Sequence, residues 1–347
     1  MSAGDDILLR VEGRVGHATL NRPKALNALS YDMAMALERA LDDWRDDPAV
    51  DMVLIDAEGE KAFCAGGDIN ALYSTGKTGN FDYARTFWAD EYRLNAKIAA
   101  FPKPYVALMD GIVMGGGVGV SAHGSHRIVT DKTMLAMPEC GIGLIPDVGG
   151  TWLLAHAPGR IGEYLGLTGA RIGAADAMYA GFADTFVPSD KLDALKARLL
   201  ATGDESCITE FAAQPPAGDL ANIANEIETA FSGSSIPEIA DALGDMDAEW
   251  AGKAAKAIDR CSPISLACTL EMVRAARDDR SVADSLKREY RFVSRCMEHG
   301  DFLEGVRAAI IDKDRNPVFA GASKEVSDAR LAQMLAPPPG GDIEISA

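Results

Sequence analysis

The chain has 347 residues, 48% of them hydrophobic, enough to bury one sizeable core and a smaller appended part. With 34 Lys and Arg against 52 Asp and Glu, its formal net charge of −18 argues against general attraction to nucleic acid or an anionic membrane, so an anionic ligand must be held locally. No apolar run approaches the ~18 residues of a membrane span, and the acidic start MSAGDDILLR is unlike a signal or transit peptide, which makes a cytoplasmic location the expectation.

In chain order, ILLRVEGRVGHATLNRP reads as a hairpin turning near Gly13, and DMVLIDAEG and PYVALMDG read as buried strands ended by turn residues. Between them, Ser30 caps a helix in which Met33, Leu37, Leu41 and Trp44 recur at helical spacing. A second helix, from about Phe81 to Ile98, follows the CAGGDI turn, and AADAMYAGFADTFV closes this half as a helix running into a strand. From about residue 226 the pattern is helical, in IPEIADALGDMDAEWAGKAAKAI, SLACTLEMVRAARD and SVADSLKREYRFVSRCMEHGDFLEGVRAAII. The organisation is therefore a mixed core over 1–225, a helical region over 226–335, and a Pro- and Gly-rich tail over 336–347 expected to be poorly ordered.

The chemistry concentrates in residues 113 to 150, VMGGGVGVSAHGSHRIVTDKTMLAMPECGIGLIPDVGG. Gly115, Gly116 and Gly117 let the backbone approach a ligand closely, and VGVSAH starts a helix whose free N–H groups face that ligand. Such a turn stabilises negative charge developing on oxygen. Glu139 ends the apolar run MLAMP before a loop with few other charges, where a carboxylate is partly desolvated and tuned for proton transfer or nucleophilic attack. On the residues alone, Glu139 and Asp147 fit a helix cap or a surface ion pair as well, and the glycines fit ordinary tight turns. Lys24 in RPKALNAL and Lys61 in EKAFCAGGD stand beside glycine-rich loops, either to hold an anion or as solvated charges.

LNRPKALNALS, KAFCAGGDI, PYVALMDGIVMGGGVGVSAHG and PECGIGLIPDVGG resemble, in order and spacing, the landmarks of the crotonase or enoyl-CoA hydratase/isomerase superfamily. PDVGGTW, DEYRLN, CSPISL, EYR and DFLEGVRAAIIDKDRNP resemble most its branch that hydrolyses 3-hydroxyisobutyryl-CoA, over roughly residues 7 to 320. The resemblance implies an α/β fold, a crotonase-like ββα spiral core with a helical C-terminal region, acting on an acyl-CoA thioester. Coenzyme A is then part of the substrate and no further cofactor or metal is implied. Members are often trimers or pairs of trimers, so a homo-oligomer is compatible with it.

In that family two backbone N–H groups hold the thioester oxygen, which here implies Gly67 and Gly116. Lys24, Ala25, Ala65, Gly66, Asp68, Gly115 and Glu91 then bind substrate. Preorganised donors in a dry site are worth about 3 kcal/mol each against the developing charge. Hydratases of the superfamily pair a glutamate two residues after the GGG triplet with the one in the PE dipeptide. Here the first position is Gly119, while Asp147 stands eight residues beyond Glu139. This exchange favours thioester hydrolysis, as in valine breakdown, over an enoyl-CoA hydratase or isomerase or a catalytically idle acyl-CoA-binding protein. Glu139 is then nucleophile or general base, and Asp147 orients it, binds substrate or manages the water proton. Glu91 projects from an apolar helical stripe and needs a partner: Arg85, Arg93, or the substrate hydroxyl that the resemblance implies.

Other signals carry less. GVGVSA nearly fits a dinucleotide fingerprint but lacks its strand-turn-helix context and acid. His123 and His126, three apart after GGG, have no third ligand at metal spacing. Cys64 lacks a recognisable His partner, and it and Cys140, Cys207, Cys261, Cys268 and Cys296 form no CxxC pair, the pattern of reduced thiols.

Overall fold

A long strand, a short strand and a helical segment recur along the first half of the chain. The computed structural model describes residues 3–320 and 325–345. Its strands in chain order are β1 (Ile7–Glu12), β2 (Val15–Leu20), β3 (Met52–Ala57), β4 (Ala62–Cys64), β5 (Tyr105–Met109), β6 (Ile112–Met114), β7 (His126–Val129), β8 (Met134–Ala136) and β9 (Thr185–Phe186). Long strands make a sheet of order β1-β2-β3-β5-β7-β9, and short ones a second sheet of order β4-β6-β8. Among the named strands of the described residues the β1–β2 hairpin alone is antiparallel, turning at Gly13 in the left-handed region (φ 61°). The other ladders are parallel, which explains why β3 and β5 read as buried strands: they are covered on both faces.

One face of the large sheet joins the main apolar cluster, while Val15, Met52, Leu54, Val106, Leu108 and Ile128 on the other pack against Leu195 and Leu199. Those leucines belong to the helix Leu192–Thr202, which the sequence reading leaves unassigned. The helix expected after Ser30 is Tyr31–Asp46, with the Ser30 hydroxyl accepting from Met33 N–H at 3.3 Å, and the second is Phe81–Ala99. After GGG, by contrast, only Gly116–Gly119 is helical, so His123 lies in a half-buried turn and His126 on β7.

Beyond residue 225, IPEIADALGDMDAEWAGKAAKAI forms two helices, Ile236–Gly244 and Glu249–Asp259, because Ala248 is extended (φ −138°) and restarts the chain. Pro263–Ala275 and Val282–His299 follow, and their apolar faces belong to the same cluster as the first half. The tail is better held than its composition suggests. Arg295 donates to Pro337 O, Arg291 pairs with Asp342 at 2.6 Å, Arg93 donates to Glu344 O, and Ile345 is buried; residues 346 and 347 lie outside the described part. Among the described residues no helix is long and apolar enough to cross a membrane.

Candidate active site

Because β4, β6 and β8 are parallel neighbours, their carboxyl ends deliver three loops to one side: Ala65–Gly67, Gly115–Gly116 and Met137–Glu139. These loops and the helix Phe81–Ala99 line a cavity of about 340 Å³, walled by apolar groups such as Leu72, Phe87, Trp88, Leu144 and Ile310. Ala65, Gly66, Gly67, Gly115, Gly116, Glu91, Glu139 and Asp147 all face it. Lys24 and Ala25 do not: they sit on the exposed single turn Pro23–Ala25. Asp68 is likewise outside the wall, paired with Arg22 at 3.0 Å.

Glycine suits 115 by its backbone, and 115 and 116 both by close neighbours. Gly115 has φ 47°, and a side chain there would start 3.1 Å from Glu139 Oε1. One on Gly116 would start 3.1 Å from Glu91 Oε1 and 3.3 Å from Gly67 N, so the Gly67 amide nitrogen and the Glu91 carboxyl both crowd the turn.

Glu91, Glu139 and Asp147 are 3%, 6% and 4% exposed, and among the described residues the cavity wall has no basic side chain. Arg85 is engaged by Asp82 and Glu298, and Arg93 by Asp90, which removes both alternative partners for Glu91. Glu91 Oε1 and Glu139 Oε2 are buried without a hydrogen-bond partner. Burial first, and then the neighbouring Asp147 charge, holds both glutamates well above the usual carboxylate range. Asp147 is pushed up to about 7 by burial, against the Tyr92 hydroxyl that donates to its Oδ2 at 2.8 Å.

Asp147 stands in a turn the sequence reading could not build. Val148, buried and β-branched, has φ 54°, and Gly149 has φ 79°. Three side chains hold this turn: Tyr92 at Asp147, His123 Nε2–H donating to Val148 O at 2.7 Å, and Glu289 accepting from the N–H groups of Gly149 (2.8 Å) and Thr151 (2.9 Å). Burial pushes His123 down to about 4, so its ring is a neutral donor. Glu289 was legible by the signal that singled out Glu91, since it shares a helical stripe with Leu286, Phe292, Val293 and Cys296, all buried. Asn95 was also missed. It is fully buried, one turn after Glu91, with neither side-chain polar atom partnered. Cys64 is a buried free thiol pushed up to about 12 by burial, unsuited to nucleophilic work.

A carboxyl raised in the folded state stays protonated there while its unfolded counterpart ionises, so stability present below the ordinary carboxylate range is lost as pH rises. Glu139→Gln removes this liability. Its gain in Tm over the parent, followed by circular dichroism, is expected to be larger at pH 8 than at pH 5 by about 2 °C or more; an equal difference at both pH values counts against the raised carboxyl.

Residues 15–335 match the family described as enoyl-CoA hydratase/isomerase. The mitochondrial 3-hydroxyisobutyryl-CoA hydrolase of Gallus gallus is 41% identical over 352 residues, covering 98% of this chain and 91% of that protein; the Homo sapiens protein of the same name is 39% identical, covering 95% and 88%. Among solved structures, an enoyl-CoA hydratase from Rhodobacter sphaeroides 2.4.1 is 47% identical with a TM-score of 0.93, covering 98% of this chain and all of that one. A carnitinyl-CoA dehydratase from Mycobacterium thermoresistibile is 46% identical, also at 0.93, with coverages of 97% and 98%. The curated relatives' mitochondrial names overturn the cytoplasmic expectation, which rested on the acidic N-terminus and the lack of a membrane-length apolar run. Family match, relatives and fold agree: the chain belongs to the enoyl-CoA hydratase/isomerase family, among relatives named 3-hydroxyisobutyryl-CoA hydrolase.

Proposed function

We propose that the chain hydrolyses 3-hydroxyisobutyryl-CoA to 3-hydroxyisobutyrate and free CoA, the thioester-cleaving step of valine breakdown. The observation that carries this reading is the filling of the second hydratase glutamate's place. A Cβ on Gly119 would stand 2.7 Å from Asn95 Nδ2 and 2.8 Å from Val148 Cβ, so no acid fits there without displacing both. The cavity's acids are instead Glu139, Asp147 and Glu91. This favours the activity named for the curated relatives over hydration, the activity named for the solved relative from Rhodobacter sphaeroides.

In this reading the thioester oxygen accepts from Gly67 and Gly116 N–H, which stabilise the oxyanion formed on attack. Ionised Glu139 either attacks the carbonyl carbon, forming a mixed anhydride that water then opens, or removes a proton from the attacking water. In both routes the C–S bond breaks and the CoA thiolate leaves, to be protonated as free thiol. A raised Glu139 is a stronger base once ionised, and Asp147, titrating near neutrality, is suited to exchange the water proton. Glu91, unpartnered in the apolar wall, accepts the substrate's 3-hydroxyl.

Glu139→Gln keeps the side chain's size, and thiol release is expected to fall by at least about a hundredfold with substrate binding retained; near-normal turnover sinks the assignment. Glu91→Ala is expected to lower kcat/KM for 3-hydroxyisobutyryl-CoA about tenfold more than for isobutyryl-CoA. Equal losses on both substrates would mean that Glu91 supports the wall without reading the hydroxyl.

A further inference from the structure

Glu289 is fully buried on the helix Val282–His299, 140 residues beyond the amide it accepts from, and touches no part of the cavity. Both of its oxygens are engaged: Oε2 accepts Gly149 N–H, and Oε1 accepts both the N–H and the hydroxyl of Thr151. Three donors converging on one acceptor-only group require a carboxylate, and burial raising it to about 7 makes that form costly. A side chain serving packing alone would be apolar here.

The carboxylate secures a turn whose own conformation is unfavourable. Val148 and Gly149 are successive left-handed residues, and the amides freed by that geometry point away from the cavity toward Glu289. Gly149 has no room for a Cβ, which would stand 2.6 Å from His123 Nε2 and 2.7 Å from Val282 Cγ2. The direction of Asp147, directly before these residues, therefore depends on an anchor from the C-terminal helices. Around Glu289 stand Asp147, Thr151 and Tyr92, with Arg288 beside it on its own helix, bound to Asp279.

We infer that Glu289 is a positioning residue for hydrolysis, acting through Asp147 by fixing the Asp147–Thr151 turn. The inference rests on the hydrolase reading above. Its test is single-turnover hydrolysis of 3-hydroxyisobutyryl-CoA by the full chain, enzyme in excess, read as free thiol. Glu289→Gln keeps the volume but sets an NH₂ group against a backbone N–H.

The rate is expected to fall roughly tenfold to a hundredfold with half-saturation shifted less than about twofold. In an Asp147→Asn background, adding Glu289→Gln is expected to change the rate less than about twofold, because both changes remove one contribution. A parent-like rate for Glu289→Gln overturns the inference, and so does an equal fold-loss in both backgrounds, the signature of a purely structural role. If circular dichroism shows Glu289→Gln unfolded, Thr151→Val carries the same comparison: a severalfold loss in the parent and none beside Asp147→Asn supports the role, and a parent-like rate refutes it. A parent chain that releases no thiol overturns the hydrolase reading and this inference together, whereas an active parent with insensitive variants overturns the inference alone.

Discussion

Three carboxyl groups held out of water around one apolar cavity, with no basic side chain in the described wall, are the constraint on which the rest of the structure depends. Each charge placed there costs several kcal/mol in lost hydration, and each ionisation makes the next harder. Such a cluster persists only where the surrounding fold over-determines it. Here Glu139 follows the buried strand β8, Asp147 sits in the turn held by Tyr92, His123 and Glu289, and Glu91 lies on the helix Phe81–Ala99 packed against Val282–His299, so relaxation toward solvent would disrupt the core. Burial and mutual repulsion together hold the protons on these groups to higher pH than on an ordinary carboxyl.

The helical C-terminal region supports both acidic loops. Ser262 N–H donates to Cys140 O at 3.0 Å, next to Glu139, and the Ser262 hydroxyl donates to buried Asp301 at 2.6 Å. The short helix Phe302–Val306 then lies with its backbone against the turn Glu139–Ile142, while Glu289 holds the Asp147 turn. Trp88 packs edge-on against Phe302 and Tyr92 against Tyr290, tying the helix that carries Glu91 to the same region. The residues after 225 thus finish the site that the strands begin, and Ile310 adds to its wall directly.

Local signals were enough for the elements that local interactions decide. Ser30 caps its helix, Phe81–Ala99 follows its apolar spacing, and the left-handed glycine at 13 makes the hairpin. The GGG turn, Glu139 and Asp147 were legible because glycine and acid placement has a short-range physical reading, helped by the family resemblance. What escaped was set by distant partners. Tyr92 and Asp147 are 55 residues apart, and nothing near Asn95 announces that it fills the space above Gly119. The tail 336–345 misled because Pro and Gly content speaks to intrinsic flexibility, whereas Arg93, Arg291 and Arg295 on two packed helices bind it. The length of the helix after GGG was overestimated because the chain must turn at once into β7.

A side chain at position 119 is excluded by packing, because its Cβ would stand 2.7 Å from Asn95 Nδ2 and 2.8 Å from Val148 Cβ. The most direct test is a product assay on the unmodified chain, offered 3-hydroxyisobutyryl-CoA and, separately, a short enoyl-CoA. The account predicts free thiol released in step with 3-hydroxyisobutyrate from the first substrate, and no loss of conjugated enoyl absorbance from the second beyond any accompanying thiol. Rapid loss of enoyl absorbance without thiol, and an intact 3-hydroxyacyl thioester, would contradict it.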